Sequence, residues 1–132
     1  MTLVDTNVLL DLFTDDEIWA GWSARQLDAA DVRGALVINE VIYAELSVRF
    51  AAVEVLDAVL GEAGIVLTPT PRAALFLAGK AFQRYRAAGG ARGGVLPDFF
   101  VGAFAAVIGA PLLTRDVGRY ATYFPSVELI SP

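Results

Sequence analysis

Three aspartates in this chain sit where a strand should hand over to a helix, and a glutamate joins them from an apolar helical stretch. Asp5 follows Leu3-Val4 and precedes Thr6-Asn7-Val8-Leu9-Leu10. Asp98 follows Leu96-Pro97 and opens a long apolar run, Asp116 follows Leu112-Leu113-Thr114-Arg115, and Glu45 lies in Val41-Ile42-Tyr43-Ala44-Glu45-Leu46. Asp5 is the only charged side chain from residue 1 to 10, and Asp98 the only one from 93 to 114. A carboxylate in apolar surroundings is costly unless a partner offsets its desolvation. Nearby cations are too few to pair all four, so a divalent metal is the simplest partner. The chain reads first as a metal-dependent enzyme.

The residue types that are missing sharpen this reading. The 132 residues include no cysteine and no histidine. Zinc sites usually take His or Cys, and nucleophile pairs that rely on histidine cannot be built. Oxygen-only ligands favour Mg²⁺, with Mn²⁺ as a substitute. A hydrophobic content of 56% suits one domain in which helical layers cover a buried sheet. No uninterrupted apolar run of about 18 residues is present, so no membrane span is expected. Met1-Thr2-Leu3-Val4-Asp5 lacks a basic n-region, so no secretory signal is expected either.

The net charge of −5 is unevenly spread. Residues 1–70 carry 3 Arg against 12 Asp plus Glu, a balance of −9, and residues 71–132 carry 7 Lys plus Arg against 3 acids, a balance of +4. Arg84, Arg86, Arg92, Arg115 and Arg119 share the half that supplies Asp98 and Asp116. They form either an ordinary solvated helix face or a rim that brings a polyanion to an acidic metal site.

The elements needed to position these residues alternate. Strands are expected at Thr2–Asp5, Ala35–Ile38, Ile65–Thr68, Leu112–Thr114 and Val127–Ile130. Helices are expected at Thr6–Phe13, from Asp15-Asp16-Glu17 to about Ala30, from the cap Asn39 to Phe50, at 51–63, from Pro71 to Ala87, at 98–109 and at 116–123. Ala88-Gly89-Gly90-Ala91-Arg92-Gly93-Gly94 reads as a mobile loop. The 98–109 helix is apolar all round, hence buried. Short apolar strands separated by helices imply an α/β fold, a three-layer α/β/α sandwich around a five-stranded parallel sheet. Ligands in such sheets gather beyond the carboxyl ends of the strands where strand order reverses. Asp5 and Asp116 belong there if the first strand is central and the fourth lies beside it.

Each acid also has a plain structural reading. Asp is a preferred N-cap, so Asp5, Asp98 and Asp116 could each simply satisfy helix N–H groups. Asp98 lacks a capping-box partner, since Val101 stands three residues on. Glu45 shares a stripe with Val41 and Val48, whereas Glu40, about 140° away around the helix, reads as a dipole partner. Convergence of four acids on one edge carries far more weight than any one of them.

The segments Leu3-Val4-Asp5-Thr6-Asn7-Val8-Leu9-Leu10-Asp11, Tyr43-Ala44-Glu45-Leu46-Ser47, Leu96-Pro97-Asp98-Phe99-Phe100-Val101-Gly102-Ala103 and Leu112-Leu113-Thr114-Arg115-Asp116 resemble the successive motifs of PIN-domain proteins. In particular they are similar to VapC toxins of toxin–antitoxin pairs, over residue 2 to the end. The resemblance implies a single PIN domain over 1–132 and a Mg²⁺-dependent endoribonuclease. Asp5, Glu45, Asp98 and Asp116 would be its acidic quartet, with Asp5 and Asp98 the principal metal ligands. Asn7, Thr114 and Arg115 would give polar support, while Asp11 stays outside the site. It further implies a small cognate antitoxin, a homodimer, a cytoplasmic location, and contact with DNA only indirectly through the antitoxin. Phe104 departs from the pattern, standing where close relatives have a histidine.

Other classes fit less well. A receiver-type phosphoryl-transfer domain needs a lysine after a late strand, and Lys80 lies in a helix. A haloacid-dehalogenase-like phosphatase needs Asp two residues after Asp5, where Asn7 stands. A catalytically silent PIN-like RNA- or protein-binding module would usually have lost some of the four acids. A surplus of apolar residues at Ile42, Tyr43, Leu46, Val53, Leu56, Val59 and Leu60 suggests a groove for a partner's amphipathic helix, or core packing.

Overall fold

The computed structural model describes residues 1–91 and 93–132. Arg92, one of the basic residues noted above, lies outside the described residues. The chain runs β1 (Thr2–Val4), α1 (Thr6–Phe13), α2 (Ala20–Arg33), β2 (Leu36–Ile38), α3 (Glu40–Ser47), α4 (Val53–Glu62), β3 (Ile65–Leu67), α5 (Arg72–Ala87), α6 (Leu96–Ile108), β4 (Leu112–Leu113), α7 (Gly118–Tyr123) and β5 (Leu129–Ile130). The expected three-layer α/β/α architecture is present.

All strand pairings are parallel, in the order β3-β2-β1-β4-β5. Leu3 of β1 stands opposite Val37 on one side and Leu112 on the other. Short, wholly apolar strands such as Thr2-Leu3-Val4 and Leu36-Val37-Ile38 suit a sheet covered on both faces, and every residue of these two is buried. The chain builds outward from β1 to β2 and β3, then returns to lay β4 and β5 on the other side. Strand order therefore reverses between β1 and β4, which makes their carboxyl ends the place for a site.

Several boundaries differ from the sequence expectation for identifiable reasons. The second helix starts at Ala20, not at residues 15–17. Asp15 has a left-handed φ of 51°, and Asp16 Oδ1 accepts the N–H groups of Ile18 and Trp19 at 2.9 and 2.8 Å, so a turn forms there instead. α6 starts two residues before Asp98, because Pro97 fits a first helical turn that needs no N–H from it. α7 starts at Gly118, two residues beyond Asp116. The described residues of the glycine-rich stretch lie outside regular elements, yet its first part is tied back, with Gly90 N–H donating to Tyr85 O at 2.9 Å.

α6 is buried at Phe99 and from Val101 to Ala105, with Phe99 and Phe104 fully enclosed, but Leu96 in its first turn and Val107 and Ile108 in its last are exposed. Gly102 allows its close approach to Phe124, since a Cβ there would collide with that ring. Ile42, Leu46, Leu56 and Leu60, expected among the surplus groove residues, are core instead. Leu46 at 0% exposure packs inward from α3 and cannot serve a partner.

Candidate active site

Asp5, Asn7, Thr114 and Asp116 gather at the carboxyl ends of β1 and β4, with Glu45 brought up from α3 and Asp98 from α6. Asp5 leaves β1 as the N-cap of α1, its Oδ1 accepting from Thr6 N–H at 2.8 Å. Its Oδ2 accepts from Thr114 Oγ1 at 2.8 Å, Tyr120 OH at 3.0 Å and Asn7 Nδ2 at 3.4 Å. Burial pushes its pKa from 3.8 up to about 6. The bonds from Thr114, Tyr120 and Thr6 oppose that rise, and the charge of Asp98 adds to it.

Asp98 stands in the first turn of α6 and is half-buried. Burial raises its pKa, the Arg119 guanidinium opposes, and the charges of Asp116 and Glu45 raise it further. Asp98 thus senses all three other acids, and the four carboxylates share one electrostatic neighbourhood. Arg119 Nη1 lies 2.8 Å from Asp98 Oδ2. Glu45 Oε1 accepts from Thr6 Oγ1 at 2.8 Å, and Asp116 Oδ1 accepts from Gly118 N–H at 3.2 Å.

The desolvation argument made from the sequence holds for Asp5 and in part for Asp98. It fails for Glu45 and Asp116, which are exposed. The buried stripe of α3 is Ile42 and Leu46, and Val48, expected beside Glu45 on an apolar face, is 84% exposed. Glu45 reaches the site over the rim of α3, held by Thr6.

Thr114 and Asn7 form the polar floor. Thr114, fully buried, also accepts Asp116 N–H at 3.0 Å and Asn7 Nδ2 at 3.3 Å. Asn7 Oδ1 accepts Arg115 N–H at 3.1 Å. The Arg115 side chain turns away from the cluster: Nε and Nη2 donate to Asp11 at 2.7 and 2.9 Å, and the guanidinium lies 5.0 Å from the Trp19 ring. Buried Asp11 also accepts from Ser23 Oγ at 2.8 Å. Arg115 therefore ties the β4–α7 loop to α1 from behind. Glu40 lies outside the cluster, accepting from Thr70 N–H at 2.9 Å and Thr70 Oγ1 at 2.6 Å.

Three contributors were not anticipated in these roles: Thr6, Tyr120, and Arg119 as partner of Asp98. Thr6 adjoins Asp5 and faces Glu45 only because α1 and α3 pack together. Tyr120 and Arg119 lie one helical turn past Asp116, a spacing that has no meaning until α7 folds back over β1.

The donor set suits a hard cation. All four acids offer oxygen, and Asp98 Oδ1, Glu45 Oε2 and Asp116 Oδ2 have no protein donor among the described residues. No three acids among the described residues converge in ligating positions, and Thr6 and Arg119 each engage one oxygen of Glu45 and of Asp98. Mg²⁺ keeps several waters and needs only one or two carboxylates. Asp5 and Asp98 are the two residues that would supply them.

A family model of the PIN domain matches residues 2–124. The chain belongs to the PIN-domain family. No curated protein matches this PIN domain in sequence. Its fold is similar to solved structures at low identity. VapBC2 from Rickettsia felis, bound to a DNA fragment from their promoter, is 15% identical with a TM-score of 0.75, covering 99% of this chain and 98% of that one. A toxin–antitoxin complex from Klebsiella pneumoniae is 19% identical, with a TM-score of 0.72 and coverage of 100% and 98%. VapBC-1 from nontypeable Haemophilus influenzae is 16% identical, with a TM-score of 0.72 and coverage of 98% and 96%. In this PIN domain Phe104 is fully buried in the hydrophobic core.

Among the described residues no helix is long and apolar enough to cross a membrane. Two clefts flank Phe50. One of about 210 Å³ is lined by Tyr43, Ser47, Val53 and Leu56, and one of about 360 Å³ by Phe13, Thr14, Arg49 and Val59.

Proposed function

We propose that this PIN domain is a Mg²⁺-dependent endoribonuclease and the toxin of a toxin–antitoxin pair. The observation that carries the reading is the buried, multiply bonded carboxylate of Asp5, coupled to Asp98 at the switch point of the sheet. Asp5 and Asp98 would hold the ion, and Asp116 would hold it through water or complete a second, substrate-dependent site. The bound ion would polarise the scissile phosphate and lower the pKa of a water towards neutrality. Thr114, Tyr120 and Asn7 keep Asp5 in one orientation, so its geometry does not have to form as substrate arrives. Glu45, exposed and anchored through one oxygen by Thr6, has its other oxygen free to orient or deprotonate the attacking water. In-line attack with departure of the 3′ oxygen leaves a 5′ phosphate and a 3′ hydroxyl. Single-stranded or looped RNA suits an open site whose contacts are with backbone.

The clefts beside Phe50 support the partner half of the reading, with a small antitoxin laying an apolar face against Tyr43, Val53 and Val59. Such a pair would work in the cytoplasm, with the toxin as a homodimer that meets DNA only through the antitoxin. The hold of Arg119 on Asp98 favours one alternative, a catalytically silent RNA- or protein-binding module. Incubation of the purified protein with total cellular RNA, with Mg²⁺ or with EDTA, separates the two. Mg²⁺-dependent fragments bearing 5′ phosphates, absent with Asp98→Asn, are expected. Cleavage that survives EDTA or that substitution would overturn the assignment, and intact RNA throughout would favour the binding module.

A further inference from the structure

α7 sends two consecutive side chains into the carboxylate cluster, Tyr120 to Asp5 and Arg119 to Asp98. The two contacts differ in kind. Tyr120 is buried, whereas the Arg119 and Asp98 side chains are 35% and 30% exposed, in the range where an ion pair is weak and readily exchanged. Arg119 meets Asp98 through Nη1 alone and leaves the rest of its donor fork unused on that partner. Its guanidinium also lies 5.9 Å from the ring of Tyr85, which packs on Phe99 and Tyr123. That aromatic platform gives the guanidinium a place to rest if it leaves Asp98. Arg115, the other arginine beside the cluster among the described residues, is committed to Asp11 and Trp19.

We propose that Arg119 is an exchange residue of the site. It neutralises Asp98 while no divalent ion is present and yields that carboxylate when an ion arrives. It then turns its guanidinium, steadied on Tyr85, to a phosphate of the RNA backbone. The inference rests on the metal-dependent ribonuclease reading. Its physical basis is charge matching. A divalent ion on Asp98 repels the guanidinium, and the incoming phosphodiester supplies the anion that a planar fork grips best.

The test is Mn²⁺ binding, followed by the ion's paramagnetic resonance, on wild type, Arg119→Gln and Arg119→Lys. Arg33→Ala, at the opposite end of the sheet, serves as a control of equal charge change. Arg119→Gln should bind Mn²⁺ about three-fold or more tightly, the scale of an exposed pair removed, while Arg33→Ala stays at the wild-type value. In Ca²⁺, a short single-stranded RNA should bind about ten-fold more weakly to Arg119→Gln, the scale of a lost charged hydrogen bond. Arg119→Lys, which keeps the charge but loses the fork, should hold Mn²⁺ as wild type does and bind RNA with intermediate strength. If the Gln variant fails to fold, the guanidinium resonances of wild-type Arg119 must shift on saturation with Mg²⁺. Unchanged Mn²⁺ affinity, unchanged RNA affinity or a static guanidinium would each overturn the proposal. Mg²⁺-dependent cleavage with unaltered Mn²⁺ affinity in Arg119→Gln sinks the exchange alone. The predicted binding changes without any cleavage sink the ribonuclease reading alone.

Discussion

Tyr120 and Asp5, 115 positions apart in the chain, share a 3.0 Å hydrogen bond in which the phenol donates to Oδ2. The bond fastens a six-residue helix across the carboxyl end of the central strand. It also supplies one of three donors on an oxygen that burial would otherwise leave costly to ionise. Tyr120→Phe should therefore lower stability by about 1 kcal/mol, the usual net worth of one such bond. It should also raise the Asp5 pKa further, because a bond that favours the charged form is gone. Thermal unfolding followed from pH 4 to 8 reads both effects. A pH profile identical to wild type would show that the phenol does nothing for the carboxylate.

Asp5 itself should make the metal-free protein lose stability as the pH rises. Its folded pKa of about 6 exceeds the 3.8 of the free side chain, so the native state holds the proton more tightly. Stability is fully present below the free value and is lost as the pH climbs through the folded one. The two-unit difference corresponds to about 3 kcal/mol. Asp5→Asn should abolish cleavage, flatten this slope, and be as stable as wild type or more so at pH 7. A mutant that unfolds would make Asp5 chiefly a helix cap. Mg²⁺ should raise the melting temperature more at pH 8 than at pH 5, where protons compete for the same oxygens.

Glu45 and Glu40 provide a comparison within one helix. Glu45→Gln should slow cleavage by about 100-fold or more, the scale of a lost general base. Glu40, bound to Thr70 outside the cluster, should tolerate the same change within a few-fold. Single-turnover rates on one RNA decide the matter. Equal effects from both would remove Glu45 from the site.

The Asp11–Arg115 pair should act through position. Arg115→Ala leaves a buried carboxylate with Ser23 as its remaining side-chain donor and should cost about 2 kcal/mol, at the lower end for a broken buried pair because Arg115 is 27% exposed. Asp11→Asn in the same molecule should recover part of that loss in denaturant titrations. Because Arg115 anchors the loop carrying Thr114 and Asp116, kcat should fall more than KM rises. A rise in KM alone would make Arg115 a direct substrate contact.

The elements of this chain were legible because each carries its own local signal. Leu36-Val37-Ile38 is too short and too apolar for anything but a covered strand, and Asn39 accepts Ile42 N–H at 3.1 Å as a cap should. Parallel order follows from alternating strands and helices, which puts Asp5 and Asp116 at the carboxyl edge on sequence alone, whereas the central place of β1 with β4 beside it is decided by the fold. The exposure of Glu45, the inward turn of Leu46 and the later start of the second helix could not be read this way. Helix period alone does not say which face meets the sheet, and Asp15-Asp16-Glu17 suits a turn as well as a helix start. Side-chain partners between distant segments were the least legible. Arg119 and Arg115 look alike in sequence, one three residues after Asp116 and the other directly before it. One holds a site carboxylate and the other turns away to Asp11. Only packing separates them, because a long cationic side chain takes whichever carboxylate the folded backbone brings within reach.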